Sequence, residues 1–245
     1  MHRIDPSRWL AAAALCVALS GCGRPGDREF AAGVKELQRG RAVRAKDLLD
    51  KSIQLRPGHP GNAEAYNQLG LARFELGELD AAARAFEESR RLNPQSASSS
   101  YNLGCLQRRA SDSQTALAYF AEASRLDPDD PRPMEMMGRI HAEQKRWDEA
   151  AAAWQAALER DRSSARVLAS LAEVEFQRHG PRASALYLMK SLEADRTYAP
   201  ALYNLYVIHA FALGAPEEAE PYARRFLDSA GPDNTRSPGV RAWLD

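Results

Sequence analysis

The side chains able to do acid–base, nucleophilic or metal chemistry are few and far apart in this 245-residue chain. His59, His141, His179 and His209 lie in separate stretches, and no HExxH, CxxC, GxSxG or GxxxxGK pattern occurs. A zinc site or an activated nucleophile needs ligands or partners at set spacings, which these scattered histidines lack, and His141 and His209, at matching places in two repeats, read as packing residues. Asp127, Asp129 and Asp130 crowd around Pro128, but their spacing is not that of a calcium loop. They read as helix-stop and solvating groups. Cys105 directly follows Gly104 and reads as a semi-buried thiol. The expectation is therefore no enzyme, no metal and no cofactor. What remains is the chemistry of recognition: Asn amides that bond a peptide backbone, Arg guanidinium groups that bond carboxylates, and aromatic rings that fill pockets.

The elements that hold those groups repeat. Leu69-Gly70 returns as Leu103-Gly104, Met137-Gly138, Leu171-Ala172 and Leu205-Tyr206, every 34 residues. Ala82, Ala116 and Ala150 keep the same interval, with Phe86, Phe120, Trp154 and Leu188 four residues beyond each slot; Pro94 and Pro128 close units. Leu79, Ala82, Phe86 and Ser89 fall at steps of three and four, one face of a helix, and Trp147, Ala150, Trp154 and Ala157 repeat that geometry. Such a period marks stacked two-helix hairpins that bury a core only against their neighbours. Gly70, Gly104 and Gly138 fall mid-helix, where glycine costs up to ~1 kcal/mol relative to alanine. Close approach of the partner helix would offset that cost, with the small alanines admitting it and the aromatic rings filling the space beyond. Asn93-Pro94 and Asp127-Pro128 predict helix stops, because a residue before proline leaves the helical region. Asp161-Arg162 and Asp195-Arg196 predict softer ones. GHPGN at 58–62 adds three residues to the first interval, at a turn.

The amino terminus carries an address. Arg3 and Arg8 precede an apolar run from Trp9 to Leu19, too short to span a bilayer and suited to a signal core. The run ends in Leu19-Ser20-Gly21-Cys22, which resembles the bacterial lipobox. That resemblance implies cleavage after residue 21 and lipidation of Cys22. Several acyl chains at about 0.8 kcal/mol per buried methylene would anchor the chain in a membrane. Gly23 follows where lipoproteins kept in the inner membrane often carry Asp, which implies the outer membrane, facing the periplasm. With Lys+Arg 33 against Asp+Glu 33, the chain has no basic excess, which argues against nucleic acid as a partner. Loss of Cys16 with the signal and acylation of Cys22 leave Cys105 as the one thiol, so no internal disulfide is expected.

The repeated residues carry a clear resemblance to the tetratricopeptide repeat family. It implies an all-α, right-handed superhelical α-solenoid of about six helix-turn-helix repeats over residues 28–229. Residues 1–21 are the expected signal peptide, 22–27 a lipidated tether and 230–245 a tail or cap, with Trp243 as a capping residue. The sixth repeat is the least regular, with Ala219 displaced by one residue and Phe226 following. In this family the first helices line a concave groove. By that resemblance the partner-binding residues are Asn67, Phe74, Tyr101, Asn102, Arg108, Arg109, Arg132, Arg139, Tyr203 and Asn204, with Leu71, Met136, Phe176 and Phe211 beside them. The function so implied is a scaffold lipoprotein that binds other cell-envelope proteins, or peptide segments of them, and supports assembly or recruitment of an envelope complex. Two alternatives stay open: a pilotin-like lipoprotein of type IV pilus or secretin assembly, and a regulator of peptidoglycan hydrolases.

Overall fold

The computed structural model describes residues 24–231 and 234–245. The signal peptide and Cys22 lie outside the described residues. Among the described residues the secondary structure is helical throughout. Six helices form a first compact unit up to Asp127: α1 (Asp27–Gln38), α2 (Ala42–Gln54), α3 (Ala63–Glu75), α4 (Leu79–Leu92), α5 (Ala97–Arg109) and α6 (Ser113–Leu126). Seven form a second unit from Pro128: α7 (Arg132–Glu143), α8 (Trp147–Arg160), α9 (Ala165–His179), α10 (Pro181–Ala194), α11 (Ala199–Val207), α12 (Pro216–Ser229) and α13 (Ser237–Leu244). Consecutive helices pack as hairpins, three in each unit, with α13 added after the last. The expected all-α class of paired helices is borne out. No helix among the described residues is long and apolar enough to cross a membrane.

The small-against-large rule of the sequence has a direct geometric basis. A Cβ placed on Gly70 would lie 2.5 Å from the Phe86 ring, on Gly104 2.7 Å from Phe120, and on Gly138 2.6 Å from Trp154. Gly33 faces Leu49 at 2.7 Å in the same way. Those four bulky side chains are buried, as are Ala82, Ala116 and Ala150. In each of these four hairpins a large side chain of the second helix is thus pressed onto bare backbone of the first, which offsets the propensity cost of the glycines.

The helix stops are sharper than expected. Asn93 accepts the Gln95 amide proton at 3.2 Å, but Asp161 and Asp195 do the same for Ser163 (3.2 Å) and Thr197 (2.9 Å). Where proline is missing, the aspartate turns the chain with its own side chain, and the Ser163 and Thr197 hydroxyls reinforce it. Between the helices of a hairpin one residue adopts the left-handed region: Gly40, Gly77 and Gly214, but also Ser111 (φ 65°) and Lys145 (φ 58°). GHPGN becomes a short 3-10 turn, Pro60–Asn62, capped by His59.

The sixth hairpin explains its own irregularity. Residues Ile208–Ala212 form a π turn in which the Leu213 amide donates to the Ile208 carbonyl at 2.9 Å. This wider turn absorbs the one extra residue, so Ala219 is fully buried like its counterparts. Once that shift is counted, Tyr206 occupies the glycine slot and Ala223 the slot of Phe86. Phe226 then falls in the slot of Ser89, not in that of Phe86. Tyr206, Ala223 and Phe226 are all buried, so the large and small partners have exchanged helices. Beyond them Val240 of α13 is buried and the Trp243 ring meets Tyr206 edge-on, centroids 5.0 Å apart.

Candidate functional site

In the first unit α3 and α5 lie side by side, and the residues picked out by sequence fall on them in two groups. Asn67 and Asn102 are buried, 3% and 4% exposed, and Asn102 Nδ2 donates to Asn67 Oδ1 at 2.9 Å. Glu64, which sequence reasoning passed over, extends this polar chain: its carboxylate accepts Gln68 Nε2 at 2.7 Å. Glu64 as a residue is exposed, but partial desolvation of its carboxylate pushes its pKa above the ordinary value, and hydrogen bonds from Gln68 and Asn67 pull it back. Tyr101 is also buried, its ring 5.5 Å from Phe120. Leu71 is buried beside them. Reading Asn67, Tyr101 and Asn102 as open recognition groups therefore needs correction. The amides face each other across the packed helices, which commits the Asn67 oxygen and one Asn102 N–H to each other.

The second group is accessible. Phe74, near the end of α3, is half-buried, and the exposed Arg109 at the end of α5 lays its guanidinium 5.0 Å from the ring centroid. Arg108 is half-buried next to it. Among the described residues Arg109 has no carboxylate partner. A guanidinium over an aromatic ring remains charged and keeps donors for a carboxylate or a peptide carbonyl.

In the second unit the arginines picked out by sequence are engaged. Arg132 forks onto Asp130, with Nη2 at 2.6 Å and Nε at 2.9 Å from both carboxylate oxygens, and Arg139 Nε donates to Glu143 at 3.2 Å. Asp130 thereby serves the start of α7, also accepting the Arg132 amide proton at 3.0 Å. Between them stands Glu135, 6% exposed and paired with Arg166 of α9. Burial pushes its pKa up more than Arg166 lowers it. Its backbone carbonyl accepts Trp154 Nε1–H at 3.1 Å. Glu135 and Arg166 escaped sequence reasoning because 31 residues separate them.

Met136 is half-buried, and Phe176 stands 40% exposed on α9. Farther along, Tyr203 packs on Phe226 (5.2 Å) and Tyr206 (5.9 Å), with the Arg236 guanidinium 4.5 Å over its ring. Asn204 is exposed, and the π turn presents Phe211 at 65% exposure. Among the described residues, exposed aromatic side chains are thus found in the second unit, at Phe176 and Phe211, while Phe74 of the first unit is half-buried. His209 stacks on Tyr222 at 5.6 Å with Nδ1 3.0 Å from Glu218, a packing position. His141 is half-buried. Among the described residues no cluster of His, Cys, Asp and Glu could hold a metal ion.

Comparisons with known proteins agree with this fold. Tetratricopeptide repeat family models match residues 31–95, 67–131 and 108–174. No curated protein matches the chain in sequence. Among solved structures, PilF of Pseudomonas aeruginosa is similar at 19% identity, covering 89% of this chain and 97% of that one, TM-score 0.73. PilW, described as a widely conserved type IV pilus biogenesis factor, is similar at 18% identity, 90% and 100% coverage, TM-score 0.74. YrrB, described as a tetratricopeptide repeat protein with an unusual peptide-binding site, is similar at 18% identity, 79% and 97% coverage, TM-score 0.57.

Proposed function

The chain belongs to the tetratricopeptide repeat family, and from that premise we propose that it is a non-enzymatic scaffold whose first helices hold an extended segment of another cell-envelope protein. The observation that carries this reading is the Arg109 guanidinium resting on Phe74, with Arg108 beside it. The Arg109 guanidinium lies over an aromatic ring and has no carboxylate partner among the described residues. In this reading Cys22 is acylated and tethers the scaffold to the outer membrane, facing the periplasm. Tethering raises the local concentration of each partner, so a weak contact yields useful occupancy.

Crosslinking in intact cells followed by mass spectrometry tests the scaffold role. Partners recovered with the native chain should be lost or weakened with Arg108→Ala plus Arg109→Ala; undiminished recovery of every partner sinks the reading. Incorporation of labelled palmitate, abolished by Cys22→Ser, tests the anchor separately.

A narrower reading, a lipoprotein of type IV pilus assembly, is supported by the near-full-length similarity to PilW, whose description names that role. Deletion of the gene should then abolish surface pili or multimeric secretin. Intact pili and secretin rings would leave the broader scaffold role standing without the narrower one.

A further inference from the structure

A second recognition surface lies in the later unit, away from the first-helix residues used above. Between α8 and α10, floored by α9, an open cleft of about 380 Å³ is lined by Leu158, Leu168 and Tyr187 together with Glu159, Arg162 and Lys190. Its charge is unbalanced. Glu159 points its carboxylate to Arg160 at 3.8 Å. Arg162 and Lys190 are both exposed and have no carboxylate partner among the described residues. Lys190 is held with its ammonium 4.9 Å from the Tyr187 ring centroid, an arrangement that orients the cation without neutralising it. Apolar surface continues outward along α10 through Leu186, 50% exposed, and Met189, 41% exposed.

We propose that this cleft binds an acidic–apolar peptide segment of a partner protein, an Asp or Glu carboxylate meeting Arg162 and Lys190 while an adjacent aliphatic side chain covers Leu158 and Tyr187. Two unpaired cations at an apolar floor are complementary to that pairing of groups. The cleft is too open to enclose an acyl chain, whereas the apolar strip along α10 suits an occupant several residues long. Arg109 and Phe74 take no part, so this site stands or falls independently of the proposed scaffold groove.

The test is fluorescence anisotropy of the full-length chain with a labelled seven-residue peptide of alternating leucine and aspartate, capped at both ends. The peptide is expected to bind, more tightly at low salt. Arg162→Glu plus Lys190→Glu, both at exposed positions, should weaken it at least ten-fold with an unchanged circular-dichroism spectrum. Arg108→Ala plus Arg109→Ala should leave it unchanged. The proposal is overturned by absence of binding, by equal binding of a leucine–asparagine peptide, or by loss in the Arg108/Arg109 variant in place of the Arg162/Lys190 one.

Discussion

Gly70→Ala isolates the packing rule on which the first four hairpins depend. In a solvent-facing helix this change stabilises by about 1 kcal/mol, because alanine loses less backbone freedom on folding. At Gly70 the new methyl carbon would sit 2.5 Å from two carbons of the Phe86 ring and 2.9 Å from a third. Carbon pairs prefer roughly 3.5–4.0 Å, so the ring would have to retreat by about 1 Å. It has nowhere to go: Phe86, Ala82 and Ala72 are all fully buried. Overpacking of this kind costs about 1–3 kcal/mol. Set against the gain in propensity, the net expectation is a loss of about 1 kcal/mol. Gly239 in α13 supplies the control, since a Cβ there meets no atom within 4 Å; Gly239→Ala should gain up to about 1 kcal/mol. The two substitutions are chemically identical and should move stability in opposite directions. Urea unfolding followed by far-ultraviolet circular dichroism reads both, with an unchanged slope confirming that the midpoint reports stability. Phe86→Leu should relieve the clash, giving a favourable coupling of about 1–2 kcal/mol in a double-mutant cycle. If Gly70→Ala raises the midpoint as much as Gly239→Ala, the ring has room and the small-against-large argument is wrong.

Other positions give independent checks. Lys145 adopts φ 58° where Gly77 stands in an earlier hairpin; relief of left-handed strain, about 1–2 kcal/mol, less the entropy of glycine should make Lys145→Gly stabilising by about 0.5–1 kcal/mol, read as a higher urea midpoint. Asn102→Ala leaves the buried Asn67 acceptor without its donor and should destabilise by about 1–3 kcal/mol, with the Asn67→Ala/Asn102→Ala double variant losing less than the sum of the singles. For Glu135 the folded pKa is raised above the ordinary 4.5, so the native state holds more protons than the unfolded state between those two values. Its contribution to stability is complete below pH 4.5 and is lost as pH rises through the raised pKa. Glu135→Gln should flatten that fall in pH-dependent unfolding; an unchanged profile would show that the burial is not felt.

The sequence by itself determined the hairpin period, the class of fold and the close approach of the second helix at Gly70, Gly104 and Gly138, while the structure showed that the Phe86, Phe120 and Trp154 rings themselves press on those glycines. The sequence's share could be read in one dimension because each close approach joins the two helices of one hairpin, and the same steric solution recurs at a constant interval. The stops at Asn93 and Asp127 were legible for the same local reason, through the proline that follows. Much of the candidate site was not. Whether Asn67 and Asn102 face a ligand or each other depends on how neighbouring hairpins nest, as does the meeting of Glu135 with Arg166. The sixth hairpin required the structure too: only the π turn at Ile208–Ala212 reveals which slots Tyr206, Ala223 and Phe226 fill, since one residue inserted in a helix rotates every later side chain by about 100°. The cleft of Arg162, Lys190 and Tyr187 is likewise a product of tertiary structure. Its groups come from a loop and three helices, and burial of apolar surface, not any local spacing, brings them together.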